Sequence, residues 1–187
     1  MYKGMSKIFG KYWCAYGGFE ALIKSPYLHI AIILLAATFK LWSNPNWWDI
    51  SISVLPNLLG FTLGGFAVFL AFGDDKFREM LIDNSDDDED EDDSNNSGSS
   101  LYVELCSTFV HFIVIQILAF FAALVSKSLN FKYAWNESIR PFIDYGTLFF
   151  WGFGFLIFLY SMTSILAATM HLFRTATWYE MHQRSNL

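Results

Sequence analysis

Residues Ile50–Phe72 read ISISVLPNLLGFTLGGFAVFLAF, 23 positions without a single charge. As a helix rising about 1.5 Å per residue, this stretch is ~35 Å long, enough to cross a ~30 Å hydrocarbon core. A segment this apolar must satisfy its backbone polar groups internally, which in lipid leaves helices or closed barrels. The ten-residue alternating segments of a barrel are absent. The fold class expected is therefore all-α, a polytopic membrane protein.

Three more stretches of the same kind flank it: Pro26–Trp42 with 17 residues, Leu105–Val125 with 21 and Gly146–Met170 with 25. The four together hold nearly half of the 187 residues. Ser25 followed by Pro26 predicts a helix start, a hydroxyl cap ahead of a proline whose missing N–H costs nothing at the first position. The connection Ser43–Asp49 (SNPNWWD) is short and predicts an antiparallel hairpin over residues 26–72. Residues 105–170 predict a second hairpin. Between them lies an acidic tether, residues 73–104, ending in SNNSGSS before helix three, whose core cannot bury enough apolar surface to fold alone. Residues 1–25 form an amphipathic cytoplasmic segment and residues 171–187 a cytoplasmic tail.

Composition excludes several classes. Hydrophobic residues make up 54% of the chain and charged ones 16%, against ~25% charged in an ordinary soluble domain. Nine acidic residues and no basic ones fall between Asp83 and Asp93; without them the net charge turns from −6 to +3. No basic stripe tracks phosphates, so direct nucleic-acid binding is not expected. Cys14 and Cys106 stand far apart with no CxxC or Cys/His cluster, which signals neither a metal site nor a disulfide framework. Lys3, Lys7 and Lys11 interrupt any early apolar run, so the first span is expected to be an uncleaved anchor. Lys and Arg divide eight to four: Lys3, Lys7, Lys11, Lys24, Lys76, Arg78, Arg174 and Arg184 against Lys40, Lys127, Lys132 and Arg140. The positive-inside rule then places both termini and the tether in the cytoplasm.

Four features could carry function. In the N-terminal segment Phe9, Tyr12, Trp13, Tyr16, Phe19 and Ile23 recur on one face opposite Lys3, Lys7 and Lys11. This fits a helix lying in the interface, or more plainly a cytoplasmic anchor, with a break expected at Gly17-Gly18. In helix two, Asn57, Gly60, Gly64, Ala67 and Ala71 share a face, and Pro56 should loosen the first turns. The plain reading is packing within the chain; the sharper one is a homo-oligomeric or pore-lining face. Glu104, His111 and His171 form a candidate gating cluster, although either imidazole near a helix end can reach interfacial water. Helix four adds a stripe of Gly154, Ser161, Ser164, Ala168 and His171, and Gln116 lies deeper on helix three. Finally, Asp86, Asp87, Asp88, Glu89, Asp90, Glu91, Asp92 and Asp93 form a polyanionic run that lacks the glycine and final glutamate of a calcium loop. It reads as a solvated tether or a partner-binding handle. No GxSxG, HExxH or phosphate-cradling loop occurs, so neither catalysis nor a cofactor is expected.

The segment PNLLGFTLGGFAVFLAFGDDKF (Pro56–Phe77), with a short helix before it and a polar tether after it, resembles the transmembrane effectors of retrons. The likeness covers residues 1–80. It implies a bacterial inner-membrane protein that compromises membrane integrity in abortive infection. A reverse transcriptase with its RNA–DNA hybrid would be the partner, met through a protein contact. No site residues carry over from it. A small channel or transporter subunit, or a membrane scaffold using the acidic tether, are the alternatives from other classes.

Overall fold

The computed structural model describes residues 2–71, 79, 81–82, 100–129 and 140–185. The acidic run Asp86–Asp93, and Tyr133 and Trp135 in the second connection, lie outside the described residues.

All regular structure among the described residues is helical. Helices α1 (Tyr2–Tyr16) and α2 (Gly18–Lys24) are followed by α3 (Pro26–Ala37), α4 (Phe39–Trp42), α5 (Trp47–Ala71), α6 (Leu101–Ser128) and α7 (Arg140–Ser185). The α1–α2 break falls where expected, with Gly17 at φ +93° and Gly18 at φ +63°, values that favour a residue without Cβ. Asn46 at φ +83° turns the chain into α5; an asparagine tolerates this left-handed conformation.

Three helices are long and apolar enough to cross a membrane: α5, α6 and residues Ile143–Arg184 of α7. The stretch Pro26–Trp42 does not form one straight span. It breaks at Thr38, whose hydroxyl donates back to the Leu34 carbonyl at 2.6 Å, and α3 alone is only 12 residues long. It reaches spanning length only together with α2, from which it is bent by 54°. Ser25 does precede α3, but its hydroxyl makes no capping bond to that helix. Pro56, expected to loosen α5, is carried inside one continuous helix. The last helix runs past Met170 without a break, so the tail residues 171–185 are helical.

Packing departs from two side-by-side hairpins. Helix α3 packs chiefly on α7, α7 on α6, and α6 on α5, while α3 and α5 hardly touch despite their short connection. The reason is the tryptophan pair that opens α5. Trp47 and Trp48, 1% and 2% exposed, fill the space beside α7 with Leu55, Ala119, Ala123, Phe155 and Phe158. Glycines make room for the rings: a Cβ on Gly154 would stand 3.0 Å from Trp47, and one on Gly152 would stand 3.0 Å from Trp42. A second apolar cluster, Phe69, Leu105, Phe109, Phe112, Ala167 and Ala168, closes the other half of the bundle. Phe61, Leu63 and Val68 on α5, Ile32 and Ile33 on α3, and Phe149 and Phe150 on α7 face outward, as suits a surface solvated by lipid.

A candidate functional site at His111

His111 lies one-third of the way along α6 and is 1% exposed. A buried imidazole needs partners for both nitrogens, since each polar group left unpaired away from water costs about 1–3 kcal/mol. Both are met. Nδ1 lies 2.9 Å from the Tyr12 hydroxyl of α1, and Nε2 lies 3.1 Å from the Tyr160 hydroxyl of α7. Tyr16, one turn after Tyr12 on the same face of α1, stacks on the imidazole at 3.8 Å between centroids and 12° between planes. Its hydroxyl reaches that of Tyr160 at 3.3 Å.

Three helices thus meet in one hydrogen-bonded chain, Tyr12–His111–Tyr160–Tyr16. A neutral imidazole has one N–H and one lone pair, and a phenol can donate or accept, so the chain can be fully satisfied. On α1, burial, and then the neighbouring Tyr16, push the Tyr12 phenol up to about 12. Burial, and then the contact with Tyr160, raise Tyr16 further still. Both phenols keep their protons at any physiological pH.

The N-terminal helix is therefore more than an interfacial anchor. Tyr12, Trp13 and Tyr16 are half-buried against the protein, whereas Ile8, Phe9, Phe19 and Ile23 stay exposed. Part of the aromatic face expected in the acyl boundary is turned onto α6.

The candidate gating cluster does not assemble. Glu104 is exposed on α6, His111 belongs to the tyrosine seam, and His171 lies half-buried against Phe112 with ring centroids 6.3 Å apart. Among the described residues, no three His, Cys, Asp or Glu side chains come together. The stripe on α7 is real as a buried face: Gly154, Ser161, Ser164 and Ala168 all point inward. The two serines donate to backbone carbonyls three residues back at 2.7 Å. Gln116, 0% exposed, donates to the Thr62 hydroxyl at 2.8 Å and ties α6 to α5.

Helix α5 supplies the other notable surface. Asn57, Gly60, Gly64, Ala67 and Ala71 are all exposed. A Cβ added at Gly60 or Gly64 would meet nothing within 4 Å. Among the described residues, no neighbour in the same chain packs on that face at Gly60 or Gly64. Among the described residues, the close glycine approaches between helices far apart in sequence are made by Gly152 and Gly154, and on α5 only the adjacent Gly65 nears another helix, at 3.7 Å from Leu172.

Tyr160 and Thr62 did not stand out in the sequence. A signal existed for the first, because Tyr160 is the one phenol in WGFGFLIFLYSMTS, and a buried phenol requires a partner. No protein family, curated protein or solved structure matches the chain.

Proposed function

We propose that this chain is a self-assembling membrane effector that perturbs the inner membrane of a bacterium, joined copy to copy through the small-residue face of α5. The observation that carries this reading is the open Gly60–Gly64 face. In lipid, helices associate where small residues let backbones approach, and among the described residues nothing occupies this surface at Gly60 and Gly64. The bent α2–α3 pair serves as a fourth span beside α5, α6 and α7, with both termini cytoplasmic, the side that the eight-to-four Lys and Arg distribution favours. No enzymatic step and no cofactor enter this reading.

The resemblance to retron effectors supplies the setting, abortive infection released when a reverse transcriptase complex lets go. The run Asp86–Asp93 is the handle for that restraint, since an extended polyanion suits a basic, nucleic-acid-holding surface.

A second reading, a channel or transporter subunit, is favoured by the polar pairs inside the bundle, Gln116–Thr62 and His111–Tyr160. Expression of the chain alone with a membrane-potential dye separates the two. The effector depolarises cells without any partner and stops growth. A chain that leaves potential and growth unchanged is not one.

A further inference from the structure

Helix α1 meets the bundle at one end only. Of residues 4–16, Tyr12, Trp13, Ala15 and Tyr16 are half-buried and the rest are exposed. Among the described residues, neither apolar cluster of the bundle includes a residue of α1, so the core closes without it. The joint to α2 is Gly17-Gly18, at φ +93° and +63°, where residues without Cβ can take up a large change of backbone angle. What α1 covers is polar. The Tyr16 ring lies flat on His111 at 3.8 Å, and the Tyr12 hydroxyl meets its Nδ1 at 2.9 Å. Tyr16 also lines a cleft of about 250 Å³ between the α2–α3 elbow, α6 and α7, with Ser25, Thr108, Tyr160 and Ser164 in the same wall. It therefore borders both the cleft and the imidazole, and its departure joins them in one polar chamber. Lys7 and Lys11 are exposed on the side of α1 away from Tyr12 and Tyr16. Ammoniums at this spacing hold to water rather than hydrocarbon, so water stands outside the cover.

We propose that α1 is a hinged cover, held shut by Tyr12 and Tyr16, that swings out at Gly17-Gly18 and admits water to His111 and the cleft. Docked, the imidazole and the phenols satisfy one another; undocked, water satisfies the same groups, so the two states exchange hydrogen bonds rather than lose them. The two apolar clusters keep α5, α6 and α7 together in both states. In the effector proposed above, the docked cover is the restrained state and the open one the membrane-perturbing state. This last step rests on that reading, whereas the cover itself does not.

The test is deuterium exchange at the imidazole C2–H of His111 in the full chain, reconstituted in bilayers and read by mass spectrometry against His182 of the same chain. This exchange is far slower than helix motion, so its rate follows the fraction of time that water reaches the ring. Tyr12→Phe with Tyr16→Phe keeps both rings, so a docked α1 would still shield the imidazole and only undocking speeds exchange. The rate at His111 should rise about ten-fold in this double variant and about three-fold in Tyr12→Phe alone, with His182 unchanged. Ile8→Ala, an exposed change on the same helix, should leave the His111 rate as it is. An unchanged rate in the folded double variant overturns the cover. An equal rise in Ile8→Ala does so too, because it would trace access to a weakened helix. Should the double variant fail to fold, an unchanged rate in Tyr12→Phe overturns it. A wild-type His111 that exchanges as fast as His182 also overturns it, since the ring is then already wet. Membrane potential, measured with a dye in cells at equal expression, tests the last step separately, and deeper depolarisation by the double variant supports it. Faster exchange in a variant that depolarises cells no more than the wild type keeps the cover and removes its role as a restraint. No depolarisation by either chain removes the effector reading and leaves the cover to the exchange result.

Discussion

Toward the Ser128 end of α6 the bundle closes by shape, and toward its middle it closes by hydrogen bonds. In the first region Trp42 and Trp47 lie so near Gly152 and Gly154 that a Cβ on either glycine would stand 3.0 Å from a ring. In the second, Tyr12, Tyr16 and Tyr160 gather around His111. The two differ in what disturbs them. Close packing fails when volume is added, because the surroundings cannot give way. A hydrogen-bonded seam tolerates volume but fails when a partner is lost. They also differ in reversibility. Each neutral hydrogen bond contributes a net of only about 0.5–1.5 kcal/mol, so a helix held mainly by such bonds can leave and return. We expect the tryptophan region to be the more permanent join and the docking of α1 the more easily released.

The largest expected effect is at the permanent join. Gly154→Leu drives a side chain into Trp47 and Ala122 and should destabilise the bundle by about 3 kcal/mol, read as a loss of helical signal on thermal unfolding in detergent. Gly60→Ala, on the open face, should move the same curve the other way, stabilising the helix by about 0.5–1 kcal/mol. Equal effects at the two positions would dissolve the distinction between a filled and an open face.

Next comes the seam. His111→Phe keeps a planar aromatic ring, slightly larger, but leaves Tyr12 and Tyr160 without the imidazole, at a cost of about 2 kcal/mol. The loss should be local, with a nitroxide at Lys11 becoming mobile while the α5–α6 contacts persist. Tyr12→Phe removes one bond and should give about half that effect. The pH dependence follows from the phenol. Tyr12 titrates near 10 when free and near 12 when docked, so its contribution is complete below pH 10 and is lost as the pH rises toward 12. Mobility of the nitroxide should increase over that window in the wild type, less in Tyr12→Phe, and least when Tyr16 is replaced by Phe as well. The smallest effect is at the exposed Lys127–Asp49 pair, 2.8 Å apart and about half exposed on both sides. Asp49→Asn should cost less than about 1 kcal/mol and even less in high salt.

How far the sequence reveals this arrangement depends on the distance over which each signal acts. Charge-free runs mark α5, α6 and α7 because burial in lipid is a property of each residue separately. The Gly17-Gly18 break is equally local. Thr38 is harder to read, since a hydroxyl returning to its own backbone bends one helix and leaves another straight. Pairing of helices is not local at all. The short Ser43–Asn46 connection brings α3 and α5 together in the chain, yet Trp47 and Trp48 decide that α3 lies on α7. His111 is conspicuous as an imidazole in an apolar helix, but its partners stand 99 and 49 residues away. No periodicity carries information across such separations. The spacing of Asn57, Gly60, Gly64, Ala67 and Ala71 shows that they share a face and leaves unsaid whether a neighbour covers it.

That uncovered face is the centre of the account, and counting subunits in a bilayer tests it most directly. The full chain, singly labelled with a fluorophore and reconstituted at low density, should bleach in several steps. The variant Gly60→Leu with Gly64→Leu, with helicity and membrane insertion unchanged, should bleach in one step and lose the power to depolarise. If the double variant keeps the wild-type step distribution, the chains do not meet through α5 and the proposed assembly is wrong.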